Sequence, residues 1–244
     1  MRAPALEAAP RQRVAERLGR WLEGWIRREL GVLLRLREAA ERGGLSGAGR
    51  AVAYRLAEGQ GVVGREEADG LVRDLTAADR KLLARLGVRL GLCHLFVPDL
   101  LKPAACVARA RLLRVFLGRP VAPAPPGRTV LRAPWPAPPD RLLSIGFAAF
   151  DGFALRVDML ERVAAAVRAR ARDAASFSVP AAMAAEAGLS REELGVLVPA
   201  LGYRLAPPGD GTTYPRLAGR RPRPAPRRTP PAHSPFAVLA ALRS

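Results

Sequence analysis

The sequence of 244 residues contains little of several residue types, and each scarcity excludes a class of protein. Two cysteines, Cys93 and Cys106, are too few for a disulfide scaffold and are typical of a reducing compartment. Together with only two histidines, they do not have zinc-finger spacing. The longest stretch without a charged residue, Thr229–Leu242, has 14 residues and three prolines. A membrane-spanning helix needs about 20 apolar residues, so we expect a soluble, cytoplasmic protein with no membrane partner and no metal site.

Motifs that carry catalysis are also missing. Neither lysine, Lys81 or Lys102, follows a glycine-rich turn, so the sequence has no phosphate-binding loop, and no G-x-S-x-G elbow supports a serine nucleophile. Residues 59–64 match the dinucleotide pattern G-x-G-x-x-G, but that fingerprint requires a preceding strand, and the preceding segment AVAYRLAE has a helical pattern. We interpret residues 59–64 as a glycine-rich helix end and expect no cofactor in this chain.

Positive charge is the main excess in the composition. Forty basic residues, all but two of them arginine, outnumber 22 acidic residues and give a net charge of +18. The net charge is +9 in residues 1–118, +3 in 119–139, zero in 140–206 and +6 in 207–244. A GC-rich genome remains an alternative explanation for the choice of arginine, although it does not explain the excess of basic over acidic residues. The charge favours a phosphate-bearing partner that contacts the flanks of the chain.

Clusters of proline predict the domain boundaries. Eight of the 23 prolines lie in Arg119–Pro139 and nine in Pro207–Pro235. Proline lacks the backbone N–H and fixes φ, so we expect these segments not to pack. The prediction is a helical bundle in residues 1–118, a proline-rich linker in 119–139, a second module in 140–217, and a disordered arginine- and proline-rich tail in 218–244 that ends in a short helix.

Apolar periodicity predicts a mainly α fold. Val14, Leu18, Trp21 and Trp25 share one helix face, which predicts an apolar stripe on a long helix, Arg11–Arg42. Ser46 and Thr76 are expected to cap the helices that follow. Residues 88–97 have an extended pattern, and residues 100–117 have a helical one.

The second module has the pattern of a small winged-helix-like α+β unit. Residues 142–157 predict a hairpin around Asp151-Gly152. Residues 179–187 and 190–201 predict a helix–turn–helix, and residues 203–217 predict a wing. A three-helix packing module is the alternative. The second helix, SREELGVLVPAL, has one arginine and two glutamates, a composition that disfavours binding in a DNA groove.

Five segments in one order resemble a known family. They are GLSGAGRAVAYRLAEGQGVV (44–63), LTAADRKLLARLGVRLGLCHLFVPDLLKPAA (75–105), FALRVDMLERV (153–163), ALGYRL (200–205) and SPFAVLAAL (234–242). This order resembles the region after the motor in bacterial relatives of the mitochondrial degradosome RNA helicase, a superfamily-two, DExH-type enzyme. LGVRLG, LLKPA and RVDMLERV are the most specific parts. The resemblance implies a helical extension that packs on two RecA-like motor domains and guides single-stranded nucleic acid. The motor motifs are missing, so the resemblance implies that ATP and magnesium bind motor domains supplied in cis or in trans.

We therefore expect an accessory region that binds single-stranded RNA or DNA through exposed cations. The candidate residues are Lys102, Arg109, Arg111 and Arg114 on one helix, and Arg220, Arg221, Arg223, Arg227 and Arg228 in the tail. Each would neutralise phosphate without reading sequence. A solvated polar face is the alternative for the helix set, and a solubilising linker is the alternative for the tail set. Two other functions remain open: a winged-helix DNA-binding transcription regulator, and a non-enzymatic scaffold whose residues 234–242 dock in a partner's groove.

Overall fold

The computed structural model describes residues 8–173, 176–204 and 213–215. This part of the chain is mainly helical, with small antiparallel sheets, as predicted. Its helices are α1 (Ala8–Arg42), α2 (Gly47–Glu58), α3 (Arg65–Arg73), α4 (Ala77–Arg85), α5 (Pro103–Leu117), α6 (Val157–Asp173), α7 (Ala181–Ala187) and α8 (Arg191–Ala200). Its strands are β1 (Val62–Gly64), β2 (Arg89–Leu90), β3 (His94–Phe96), β4 (Val130–Arg132), β5 (Phe147–Ala149), β6 (Phe153–Arg156), β7 (Ser176–Ser178) and β8 (Thr213–Pro215). Short 3₁₀ turns precede α5 and β5.

Side-chain caps fix several helix starts. The Ser46 hydroxyl accepts the N–H of Gly49 at 3.2 Å, so the predicted cap of α2 is confirmed. Thr76 forms a capping box with Asp79 at the start of α4, and Ser190 forms one with Glu193 at the start of α8. These boxes satisfy backbone N–H groups that have no partner within the helix.

The first module surrounds one apolar core. The second half of α1 packs on α2 and α5, and its buried residues begin at Leu30, where the backbone leaves helical geometry. Leu36, Leu56, Leu83 and Leu95 are fully buried in this core. The extended pattern predicted at 88–97 corresponds to strands β2 and β3, and β1 completes the sheet in the order β1-β3-β2. The predicted bundle is therefore a helical layer on a three-stranded sheet.

One buried carboxylate holds two of these helices together. Asp79 is 2% exposed and accepts hydrogen bonds from the backbone N–H and hydroxyl groups of both Ser46 and Thr76, at 2.7 to 2.9 Å. These bonds, led by that from the Ser46 N–H, lower the pKa of Asp79 far below its usual range. The carboxylate is thus ionised at neutral pH and joins the starts of α2 and α4.

The expectation that residues 119–139 do not pack is wrong. Strand β4 lies within this segment and pairs with β6 in an antiparallel sheet of order β4-β6-β5. Val121, Leu131 and Ala137 are buried against α5 and the sheet. The prolines lie at 120–126 and 134–139, so the proline-free stretch between them keeps the N–H groups that a strand needs.

The second module places α6, α7 and α8 against this sheet. Its core contains Phe153, Leu160, Val167 and Leu197. Strand β8 pairs with β7, with Phe177 opposite Tyr214, so β8 joins a strand that precedes the helix pair. The predicted tail, residues 218–244, lies outside the described residues.

A second carboxylate joins the two modules. Glu161 of α6 accepts the backbone N–H groups of Leu92, Cys93 and His94 at 2.5 to 2.9 Å. Burial raises the pKa of Glu161, but the His94 ring and these N–H groups lower it more, so that it lies below its usual value. Val62, Phe96 and Val157 form a small apolar cluster beside this contact. Among the described helices, none is long and apolar enough to span a membrane.

Candidate nucleic-acid interface

Helix α5 carries the candidate binding residues of the first module. Pro103 occupies its first turn, where the missing N–H has no cost, and Gly118 ends it with a φ of +62°. One side of the helix packs into the core through Ala105, Ala108 and Leu113. The side chains of its polar positions fall into two groups, one buried and one exposed.

The expectation that Arg109 is exposed is wrong. Its side chain is 1% exposed, and its guanidinium donates to the carbonyl oxygens of Gln60, Leu100 and Ser144 at 2.6 to 3.1 Å. Burial lowers the pKa of Arg109. The arginine thus joins the turn after α2 to two 3₁₀ turns, one before α5 and one before β5. It is therefore a structural cross-link and is not accessible to phosphate.

Lys102 lies at the surface at the start of α5, but its charge is already engaged. Its ammonium is 2.7 Å from the carboxylate of Asp99, one 3₁₀ turn earlier. Both side chains are mostly exposed, so solvent screens this pair and it contributes little stability. Lys102 is thus a weaker candidate for phosphate binding than an unpaired cation.

Arg111 and Arg114 form the exposed basic face of α5. They are three residues apart, so they lie on neighbouring positions of one helix surface. The guanidinium carbon of Arg111 lies 6.0 Å from the centroid of the Trp25 ring on α1, within the range of a cation–π contact. Neither arginine forms an ion pair with a described residue. Of the four helix candidates, only these two combine exposure with unpaired charge.

The five tail candidates lie outside the described residues. They are Arg220, Arg221, Arg223, Arg227 and Arg228. Their role in phosphate binding stays a prediction.

The tryptophan pair beside Arg111 is less buried than the sequence predicts. Trp21 and Trp25 stack with ring centroids 6.3 Å apart and an angle of 7° between the rings. The apolar periodicity predicted that they form one stripe, and such stripes usually face a core. Trp21 is instead 62% exposed. The periodicity could not have revealed this, because an exposed stripe and a core-facing stripe have the same spacing.

The helix–turn–helix has an acidic helix start, which does not suit binding in a DNA groove. The first turn of α8, which would approach base edges, carries Glu192 and Glu193. The guanidinium of Arg132 in β4 donates two hydrogen bonds, of 2.7 and 2.8 Å, to the carboxylate of Glu193. This acidic, internally bonded helix start does not favour contact with the phosphates or bases of a duplex.

Cys93, the metal-ligating side chains and the glycine-rich segment 59–64 were the other candidates for chemistry in the sequence. Burial, with the negative charges of Glu161 and Glu66, raises the pKa of the Cys93 thiol to about 12, so it is not a nucleophile at neutral pH. In the described part of the chain, no group of three His, Cys, Asp or Glu side chains could hold a metal ion. The glycine-rich segment begins with Gly59, which ends α2, and its last three residues form β1. The interpretation as a helix end therefore applies to its first residues only.

Comparison with known proteins adds no relative. No family model, no curated protein and no solved structure matches this chain. The resemblance to the post-motor region of a DExH helicase therefore stays a prediction that depends on the sequence segments alone.

Proposed function

We propose that this chain binds single-stranded RNA or DNA as an accessory region of an ATP-dependent helicase. The observation that carries the proposal is the exposed, unpaired basic face formed by Arg111 and Arg114 on α5. It lies in the module with a net charge of +9, whereas residues 140–206 are neutral. Cations on one face neutralise phosphates without reading sequence.

The helicase part of the proposal depends on the resemblance. LGVRLG covers the turn after α4 and strand β2, LLKPA joins the 3₁₀ turn to the start of α5, and RVDMLERV covers the end of β6 and the first part of α6. Glu161, in RVDMLERV, accepts the N–H groups of Cys93 and His94, just after LGVRLG. Leu101, in LLKPA, packs against the apolar cluster that contains Val157. The motor domains, which would bind ATP and magnesium, would be supplied in cis or in trans.

A winged-helix regulator is the second candidate. We propose a winged-helix-like module in residues 140–217, and the described order α6, β7, α7, α8, β8, with β7 paired to β8, supports it. The acidic first turn of α8 argues against a duplex reader. Arg191 is the only basic residue of α8. Arg191→Ala should therefore abolish duplex binding if the regulator interpretation is correct, and should leave single-strand binding unchanged if the proposed function is correct.

Anisotropy of a labelled single-stranded oligonucleotide tests the binding proposal. Arg111→Ala with Arg114→Ala should weaken binding and lower the slope of log K against log salt by about 1.4, because each phosphate contact on a single strand contributes about 0.7. Arg168→Ala is the matched control, since Arg168 is an exposed arginine on α6 in the neutral module. Equal effects of the two sets would contradict the assignment to α5.

Genomic DNA tests the helicase part separately. We expect a reading frame for two RecA-like domains next to, or continuous with, the codon of Met1. An unrelated gene in that place would contradict the helicase part and leave the binding proposal to stand on the anisotropy.

A further inference from the structure

The first half of α1 is an exposed arm. Every residue from Arg11 to Gly24 is exposed, and burial begins only with Trp25 and Leu30. The arm continues a helix whose second half is packed on α2 and α5. Its apolar stripe is therefore held at the surface, where a ligand can contact it.

Two parallel rows of side chains run along this arm. The apolar row is the stripe that contains Val14, Leu18, Trp21 and Trp25. Val14, Leu18 and Arg17 line a shallow recess beside Trp21. The arginine row is Arg13, Arg17 and Arg20, whose spacing of four and three residues places them along one border of the stripe. The row is about 10 Å long at 1.5 Å per residue.

Ion pairs are distributed unevenly along α1. After residue 24, three of its five arginines, Arg28, Arg37 and Arg42, each pair with a glutamate of the same helix. The three arginines of the arginine row have no ion pair among the described residues. Residues 10–28 contain six arginines and two glutamates, a net charge of +4. Two copies of the arm would repel each other, so the charge favours an anionic ligand over a second copy of this chain.

We propose that Trp21 and the arginine row bind single-stranded nucleic acid, with one unpaired base stacked on the exposed indole of Trp21 and phosphates along the arginines. This inference rests on the proposed function and adds the recognition of bases to it. The basic face of α5 continues the surface, because Arg111 lies over Trp25, whose ring stacks on Trp21. A paired base is stacked within its duplex and cannot lie on Trp21, so the arrangement selects single strands.

An oligonucleotide without bases separates this inference from simple phosphate binding. The probes are a labelled single strand and an abasic strand with the same number of phosphates. Trp21→Ala should weaken binding of the base-containing strand between about fivefold and about a hundredfold, change binding of the abasic strand by less than about twofold, and leave the salt slope unchanged. Trp21→Phe should retain most of the affinity, since it keeps an aromatic face.

Leu18→Ala is the matched control. Leu18 is 59% exposed on the same stripe but has no ring, so its removal should change binding of both strands by less than about twofold. Stacking should also quench tryptophan emission with the base-containing strand, and Trp21→Ala should remove that quenching.

Two results would overturn the inference. If Trp21→Ala leaves binding of the base-containing strand unchanged while the α5 variants weaken it, the stacking site is wrong and the proposed function stands. If Trp21→Ala and Leu18→Ala weaken binding equally, the stripe acts as an apolar surface, such as one for a protein groove, and no base stacks on it. Failure of the unaltered chain to bind either strand would instead contradict the proposed function.

Discussion

Two arginines on α5, two residues apart in the chain, should give opposite results when each is replaced by alanine. Arg109→Ala removes hydrogen bonds to three carbonyl oxygens, of which that of Leu100 is buried and those of Gln60 and Ser144 are partly buried, and leaves a cavity in place of a side chain that is 1% exposed. Each unsatisfied acceptor costs about 1–3 kcal/mol, and relief from burying an unpaired charge offsets part of this sum. We expect a loss of about 2–5 kcal/mol from the free energy of unfolding, a large share of the roughly 5–15 kcal/mol typical of a folded protein.

Arg111→Ala should leave that free energy almost unchanged. Its side chain is exposed, and the only described contact is with the Trp25 ring, worth about 0.5–1 kcal/mol at a surface. Single-strand binding should change in the opposite way: Arg111→Ala should lower the salt slope by about 0.7. Arg109→Ala should leave the slope unchanged when measured at a temperature where it is folded.

Urea unfolding followed by circular dichroism, and anisotropy of a labelled single strand, measure the two effects independently. The reasoning would be refuted if Arg109→Ala were as stable as the unaltered chain and lost a phosphate contact in the salt titration. That result would mean that the Arg109 guanidinium faces solvent, as its position in the sequence first suggested.

Three further predictions concern stability, pH and the tail. Asp79→Asn should lower the free energy of unfolding, measured by urea titration, by about 2–4 kcal/mol, since the amide cannot accept all four hydrogen bonds that the carboxylate accepts. A change below about 0.5 kcal/mol would contradict the role of Asp79 as a link between helices. Because the pKa values of Asp79 and Glu161 are lowered in the folded state, their contribution to stability should be complete at neutral pH and should be lost as the pH falls below about 4. The melting temperature of Asp79→Asn, measured at a series of pH values, should therefore fall less in acid than that of the unaltered chain. An equal fall in both would refute the assignment to Asp79. Residues 218–244 hold six arginines and no acidic residue. Their removal should weaken single-strand binding and lower the salt slope by at most about 4, while the melting temperature stays the same. Unchanged binding would exclude the tail as a phosphate contact.

The helices could largely be predicted because their signals are local. Ser46 and Thr76 precede apolar periodic segments and satisfy backbone N–H groups within a few residues, so a single sequence shows them. Gly118 ends α5 for a similarly local reason. Their positions depend on neighbours in the chain and little on the tertiary fold.

The candidate site could not be predicted to the same extent, because burial depends on distant segments. Arg109 is buried by carbonyls of residues 60, 100 and 144, which no helical periodicity reveals. Conversely, Trp21 has the spacing of a core residue, and only the packed neighbours of α1 show that the core begins at Leu30. The strand at 130–132 was missed because the prolines around it dominate the composition of the segment.

The most direct test of the account is a salt titration of binding by the full chain to a single strand and to a duplex of the same sequence. We expect tighter binding to the single strand, a linear fall of log K with log salt, and a smaller slope after Arg111→Ala with Arg114→Ala. Tighter binding to the duplex that Arg191→Ala abolishes, or no binding to either probe at moderate salt, would contradict it.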